Sequence, residues 1–237
     1  MYYIIALLTL CVLYAFVFYA MKHFKNRGLT NLIFVLLVFL FYINLCYTVY
    51  SEVGFFDWNF QNTLPVANVS PFMFSITPLV LVLKGRAKKL LLLLISLLSV
   101  GMFLSTVFSM TYNAVIDYKF HWHFMLDYVA HFALSLFGIY IVRSGQVDFT
   151  LRNCLASGSL ILGSATLMLV LNIIFDTSFF GLNLNGKHNI YNNVIVEDSY
   201  LSALLYYCGL IFVLLLGSIL CGKCKIIKST KKMLSVA

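Results

Sequence analysis

The chain has 237 residues, of which 62% are apolar, 16% aromatic and only 10% charged, with three prolines and a formal net charge of +8. An average soluble domain is about 45–50% apolar and about 25% charged, so this composition excludes a soluble globular fold, and disorder and collagen-like repeats with it. What remains is an all-α integral membrane protein.

Crossing roughly 30 Å of hydrocarbon takes about 20 apolar residues. Charge-poor stretches of about that length fall at 2–21, 30–50, 67–83, 90–112, 123–142, 153–175 and 199–222, followed by a basic tail at 223–237. They predict a polytopic bundle of seven transmembrane helices in one domain, 1–237. The first stretch starts at Tyr2 without a basic lead, and its positive charges follow at Lys22, Lys25 and Arg27. It therefore reads as a retained helix rather than a cleaved signal peptide. The third is short, and Pro71 and Pro78 each remove a backbone donor, which predicts a kinked or partly broken helix.

Basic residues cluster after spans one, three, five and seven: Lys22 to Arg27, Lys84 to Lys89, Arg143 with Arg152, and Lys223 to Lys232. This puts 14 of the 16 on one side, leaving Lys119 and Lys187 opposite, and of the eight carboxylates only Asp148 lies with the majority. The distribution predicts an amino terminus outside and a carboxyl terminus in the cytosol. Short basic loops beside anionic headgroups account for the net charge, so no nucleic-acid partner is expected.

The six cysteines suggest no disulfide framework. Cys221 and Cys224 form a C-x-x-C that supplies only half of a structural zinc site, and reduced thiols at the membrane surface, open to palmitoylation, are the expectation. No cofactor motif and no complete metal-ligand spacing is present.

Ionisable groups inside a span are costly and point to function. They concentrate on the fifth span, where His123, Asp127 and His131 follow one another at i, i+4 and i+8 on one helix face. At about 1.5 Å per residue, His131 lies roughly 12 Å below His123, deep in the hydrocarbon. Asp127 is within reach of His131 and would orient its imidazole. The pair suits a general acid or base, a proton relay or half of a metal site; equally, it suits pinning one helix to its neighbours.

Depth counting sets Ser70 level with Asp127 and Ser75 level with His131, so either hydroxyl is a candidate nucleophile. Asn44, Cys46, Ser105, Ser109, Asn172, Tyr206 and Tyr207 also fall in the outer half. The candidate catalytic set is thus His131, Asp127, Ser70 and Ser75. An outward cavity would be lined by Asn68, His123, Asn183, Tyr206 and Tyr207. Serine, threonine and asparagine also join membrane helices through weak hydrogen bonds, which is the plainer role for each taken singly. The outer segment 179–186, Phe-Phe-Gly-Leu-Asn-Leu-Asn-Gly, reads either as a flap folded back over such a cavity or as a glycine-rich connection.

Three short motifs, at Leu64-Pro65-Val66, at Asp127-Tyr128-Val129-Ala130-His131 and at Phe180-Gly181-Leu182-Asn183, resemble in order and spacing those of the YwaF family of bacterial integral membrane proteins, related to animal transmembrane protein 164. The resemblance covers roughly residues 60–215. It implies a seven-helix fold in the bacterial plasma membrane and, through the animal relatives, lipid acyl transfer by a cysteine and a histidine. His131 matches the histidine, whereas the cysteine position falls on Val69 and the preceding histidine on Ala67.

The functional expectation is a protein that binds a lipid, or a protein partner within the membrane, in an outward-facing polar cavity without cysteine chemistry. The alternatives are an intramembrane acyltransferase or hydrolase with His131 as base, and a proton-coupled transporter. The last span has no lysine before Lys223, which argues against a retinal protein, and Asp-Arg-Tyr and Asn-Pro-x-x-Tyr, the marks of a G-protein-coupled receptor, do not occur.

Overall fold

The computed structural model describes residues 15, 19, 26–55, 63–65, 68–116, 122–175, 177, 179–182 and 199–234. These residues form α1 (Arg27–Val53), α2 (Val69–Ile76), α3 (Leu79–Val82), α4 (Gly85–Ile116), α5 (Trp122–Ser144), α6 (Leu151–Phe175), a 3-10 turn (Phe179–Gly181) and α7 (Ser199–Leu234). No strand occurs among them. Five stretches are long and apolar enough to cross a membrane: Arg27–Val53, Gly85–Leu104, Leu126–Ser144, Leu151–Phe175 and Ala203–Lys223. The protein is therefore a helical membrane protein. Of the expected spans, the first (2–21) lies outside the described residues apart from Ala15 and Tyr19.

The third expected span is two short helices. Pro71 sits in the first turn of α2, where its missing N–H has no intrahelical partner to lose. Pro78 falls where an N–H should reach the Phe74 carbonyl, and the helix breaks there, restarting as α3. Together Val69–Val82 extend about 21 Å, short of the roughly 30 Å of a hydrocarbon core.

α1 begins where the Asn26 side chain accepts the Leu29 N–H at 3.1 Å, and it ends at Gly54, which takes φ 83°. Phe34, Val38, Tyr42, Leu45 and Val49 form its buried ridge, at the three- and four-residue spacing of one helix face.

α4 is the central helix, with every residue from Leu91 to Ser99 buried. It packs against α5, α6 and α7. Small residues allow these close crossings. A side chain at Gly138 would collide with Ser99 and the Ile95 carbonyl, and one at Gly217 would run into the Leu97 backbone. Polar ties reinforce the packing: Ser157 Oγ donates to the Leu90 carbonyl at 3.0 Å, and Asn31 and Gln146 exchange amide hydrogen bonds of 2.8 and 3.2 Å between α1 and the end of α5.

Cys221 corrects the reading of the C-x-x-C. Near the end of the Ala203–Lys223 stretch, it continues the buried Leu214–Gly217 face of α7, and its thiol donates to the Ser96 carbonyl at 3.7 Å. A thiol only 7% exposed and committed to α4 is not available for acylation. The Cys224 side chain lies outside the described residues.

Candidate functional site

The site is built around α5. Its apolar residues Ala130, Ala133, Leu134, Phe137 and Ile141 are buried against the core, and His131 enters the interior beside them, 6% exposed. One turn earlier, Asp127 keeps its side chain 35% exposed. His131 Nδ1 lies 2.9 Å from the Asp127 carbonyl oxygen and 3.2 Å from its Oδ1. A backbone carbonyl can only accept, so Nδ1 carries the hydrogen and donates to both oxygens. In the neutral imidazole this leaves Nε2 as the acceptor.

The other side of the site comes from α2. The Phe74 ring meets the imidazole edge-on, with centroids 5.0 Å apart and planes at 88°. Phe74 is fully buried and also packs on Tyr42 of α1, at 5.6 Å. Tyr42 Oη donates to the Thr63 carbonyl at 2.9 Å, and the Cys46 thiol donates to the same oxygen at 3.8 Å. The chain leading to α2 is thus fastened to α1 just above the aromatic layer. Tyr42 and Phe74 carry no signal in the sequence that separates them from ordinary core aromatics; only their packing brings them to His131.

Ser70 and Ser75 belong to the same short helix as Phe74, yet their hydroxyls are committed elsewhere. Ser70 Oγ donates to the Met102 thioether at 3.6 Å, and Ser75 Oγ to the Phe72 carbonyl at 2.8 Å. Among the described residues, no hydroxyl or thiol hydrogen-bonds the His131 ring. Asn68 precedes α2 in an extended conformation, and its carbonyl accepts the Phe72 N–H at 3.1 Å. Tyr206 is buried in α7. Its neighbour Tyr207 donates to Thr166 of α6 at 3.3 Å, so this pair of tyrosines helps to join α6 and α7. His123 lies on α5 with its side chain outside the described residues, and Asn183 lies outside them altogether. Among the described residues, no three His, Cys, Asp or Glu side chains converge as metal ligands.

The carboxyl end of α6 gives Asn172, in the sequence only one of several polar residues near the end of a span, a specific role. Asn172, 2% exposed, organises the turn that follows the helix. Its Oδ1 accepts the Phe179 N–H at 2.7 Å and the Thr177 hydroxyl at 2.9 Å. Its Nδ2 donates to the Phe179 carbonyl at 2.8 Å and also to the Leu182 carbonyl. These bonds hold Phe180 at φ 56°, ψ 20°, with Phe180 and Leu182 fully buried. The Phe180 ring packs edge-on against Phe72 of α2, at 5.7 Å and 81°. Of the expected flap at 179–186, Phe179–Leu182 fold back onto the bundle, and 183–186 lie outside the described residues. An amide inside an otherwise apolar helix end, a few residues before Phe-Phe-Gly, is the signal that would have located it.

No protein-family model, curated protein or solved structure matches this chain.

Proposed function

We propose that the chain is a seven-span protein of the cell membrane, amino terminus outside and carboxyl tail cytosolic, that binds a membrane lipid or a partner protein from the outer side at the Asp127–His131 pair. The orientation is supported by the placement of 14 of its 16 basic residues after the odd-numbered spans. The two spans beyond the five long apolar helices are 2–21 and the broken pair α2–α3. Membership of the YwaF family is part of the same reading, on the motifs at 64–66, 127–131 and 180–183.

The observation that carries the functional reading is a buried imidazole at membrane depth, oriented by a carboxylate and flanked by an aromatic ring. An intramembrane ionisable pair is costly, and its retention points to a use. Binding is favoured over acyl transfer by the commitments of Ser70 and Ser75 to other partners. Nucleophilic catalysis needs hydroxyl and base within about 2.6–3.2 Å of one another. In the proposed orientation Lys84 lies at the inner surface, and the short reach of α2–α3 is consistent with the start of α2 lying below the outer surface. The irregular chain at Thr63 has its carbonyl satisfied by Tyr42 and Cys46, as backbone within a membrane requires.

The test is a density map of the purified full chain in lipid nanodiscs. The expected result is lipid or partner density within about 4 Å of the imidazole, reaching it from the outer leaflet. Asp127→Asn should remove that density while leaving the helices in place. A hydroxyl or thiol brought against Nε2 in the same map would replace binding with catalysis. Protein side chains packed against every face of the ring, with no foreign density, would overturn both.

A further inference from the structure

Helix α2 is gripped from two sides through residues only two positions apart. Phe72 meets Phe180 of the 3-10 turn, whereas Phe74 meets Tyr42 and His131. Successive helical residues are about 100° apart, so these two rings point to nearly opposite sides. α2 is therefore a wedge between the folded-back turn and the α1–α5 face that carries the imidazole.

The two ends of this wedge differ. Its inner end is the weakest point of the helical ladder: Thr77 and Pro78 keep helical dihedrals, but Pro78 gives no hydrogen to the Phe74 carbonyl, so one rung is missing where α2 joins α3. Beside its outer half is a strained latch. Phe180 occupies the left-handed region, which an aromatic residue avoids unless its surroundings over-determine it. Asn172 supplies that constraint with both side-chain atoms, fixing the turn before and after Phe180.

We infer that α2 is a gate over the Asp127–His131 pair, hinged at Thr77–Pro78 and latched shut by Asn172 through Phe180. Withdrawal of the Phe180 ring from Phe72 removes the hold on one side of α2; rotation about the hinge then breaks the weak Ser70–Met102 contact, draws Met73 out of the core and lifts Phe74 from the imidazole. This opens the pair to a ligand arriving from the outer leaflet. The inference rests on the pair being a binding site, but its test reads access to His131 and not occupancy, so the two can fail separately.

The experiment follows modification of His131 by diethyl pyrocarbonate in the full chain in phosphatidylcholine nanodiscs, read by peptide mass spectrometry. Alkylation of Cys221, buried at the far end of α7 against α4, is followed in parallel as the measure of general loosening. Asn172→Ala removes the latch. Phe180→Gly is the milder variant, since glycine accepts the left-handed turn and only the ring is lost. Both should speed His131 modification by about tenfold or more, as the open population rises, with Cys221 as protected as in the unaltered chain. Adding Pro78→Ala to Phe180→Gly, which restores the missing donor and stiffens the hinge, should slow it again. Unchanged rates at His131 in both latch variants would overturn the gate, and so would a parallel rise at Cys221. A Pro78→Ala addition without effect would overturn the hinge.

Discussion

His131 meets the Phe74 ring edge-on, so one flank of a histidine buried in the Leu126–Ser144 stretch is closed by an aromatic from the broken helix α2. The contact joins the Asp127–His131 pair to the helical segment that Pro78 interrupts. Removing the ring by Phe74→Ala leaves a cavity between Tyr42 and His131. Large-to-small aromatic changes in a packed core cost about 3–5 kcal/mol, and a lowered midpoint in thermal unfolding of the nanodisc-embedded protein is the expected outcome.

The Asp127 carboxylate orients the imidazole through Nδ1. Asp127→Asn keeps the shape and the backbone contact but removes the charge. Hydrogen bonds to charged groups are worth about 1.5–3 kcal/mol, so retention of lipid by the purified protein should fall by roughly tenfold or more, measured by native mass spectrometry. His131→Ala should do the same. A stability loss with lipid retention unchanged would assign the pair to helix packing.

Gly217 and Gly163 offer a matched comparison. A Cβ at Gly217 collides with the Leu97 backbone, which cannot move aside, whereas one at Gly163 meets nothing within 4 Å. Gly217→Ala should therefore cost about 1–3 kcal/mol by overpacking the α4–α7 crossing. Gly163→Ala should be neutral or stabilising by roughly 0.5–1 kcal/mol, because alanine is the better helix former. Chemical unfolding of the two variants side by side checks the sign of each.

The Asn31–Gln146 amide pair clasps the start of α1 to the segment after α5. Gly145, at φ 67°, turns the chain there, with the Gln146 N–H reaching the Ile141 carbonyl at 3.2 Å. A double-mutant cycle with Asn31→Ala and Gln146→Ala should return a coupling of about 0.5–2 kcal/mol. Additive effects would mean that the clasp forms without contributing.

The orientation also has a direct test. A green fluorescent protein fused after Ala237 should fluoresce, because it folds in the cytosol, and a translocation-dependent reporter fused there should stay inactive. The reverse pattern would invert the proposed topology.

Much of the architecture was legible in the sequence. Composition alone dictates a membrane protein, because lipid makes helix length and apolarity nearly sufficient to define a span. Five of the seven expected spans overlap helical stretches long and apolar enough to cross. The break in the third follows from Pro78, a property of one residue that no neighbour can change. The Asp127–His131 contact is likewise local, set by four-residue spacing on one helix. What only the tertiary structure decided is which surfaces meet. Equal depth suggested Ser70 and Ser75 as partners of His131, but depth fixes height along the membrane normal and not rotation about a helix. That rotation is set by packing around α4, and it presents Phe74 to the imidazole while Ser70 turns to Met102. Asn172 gains its role the same way, from a chain reversal that returns Phe180 to α2 and that no local pattern encodes.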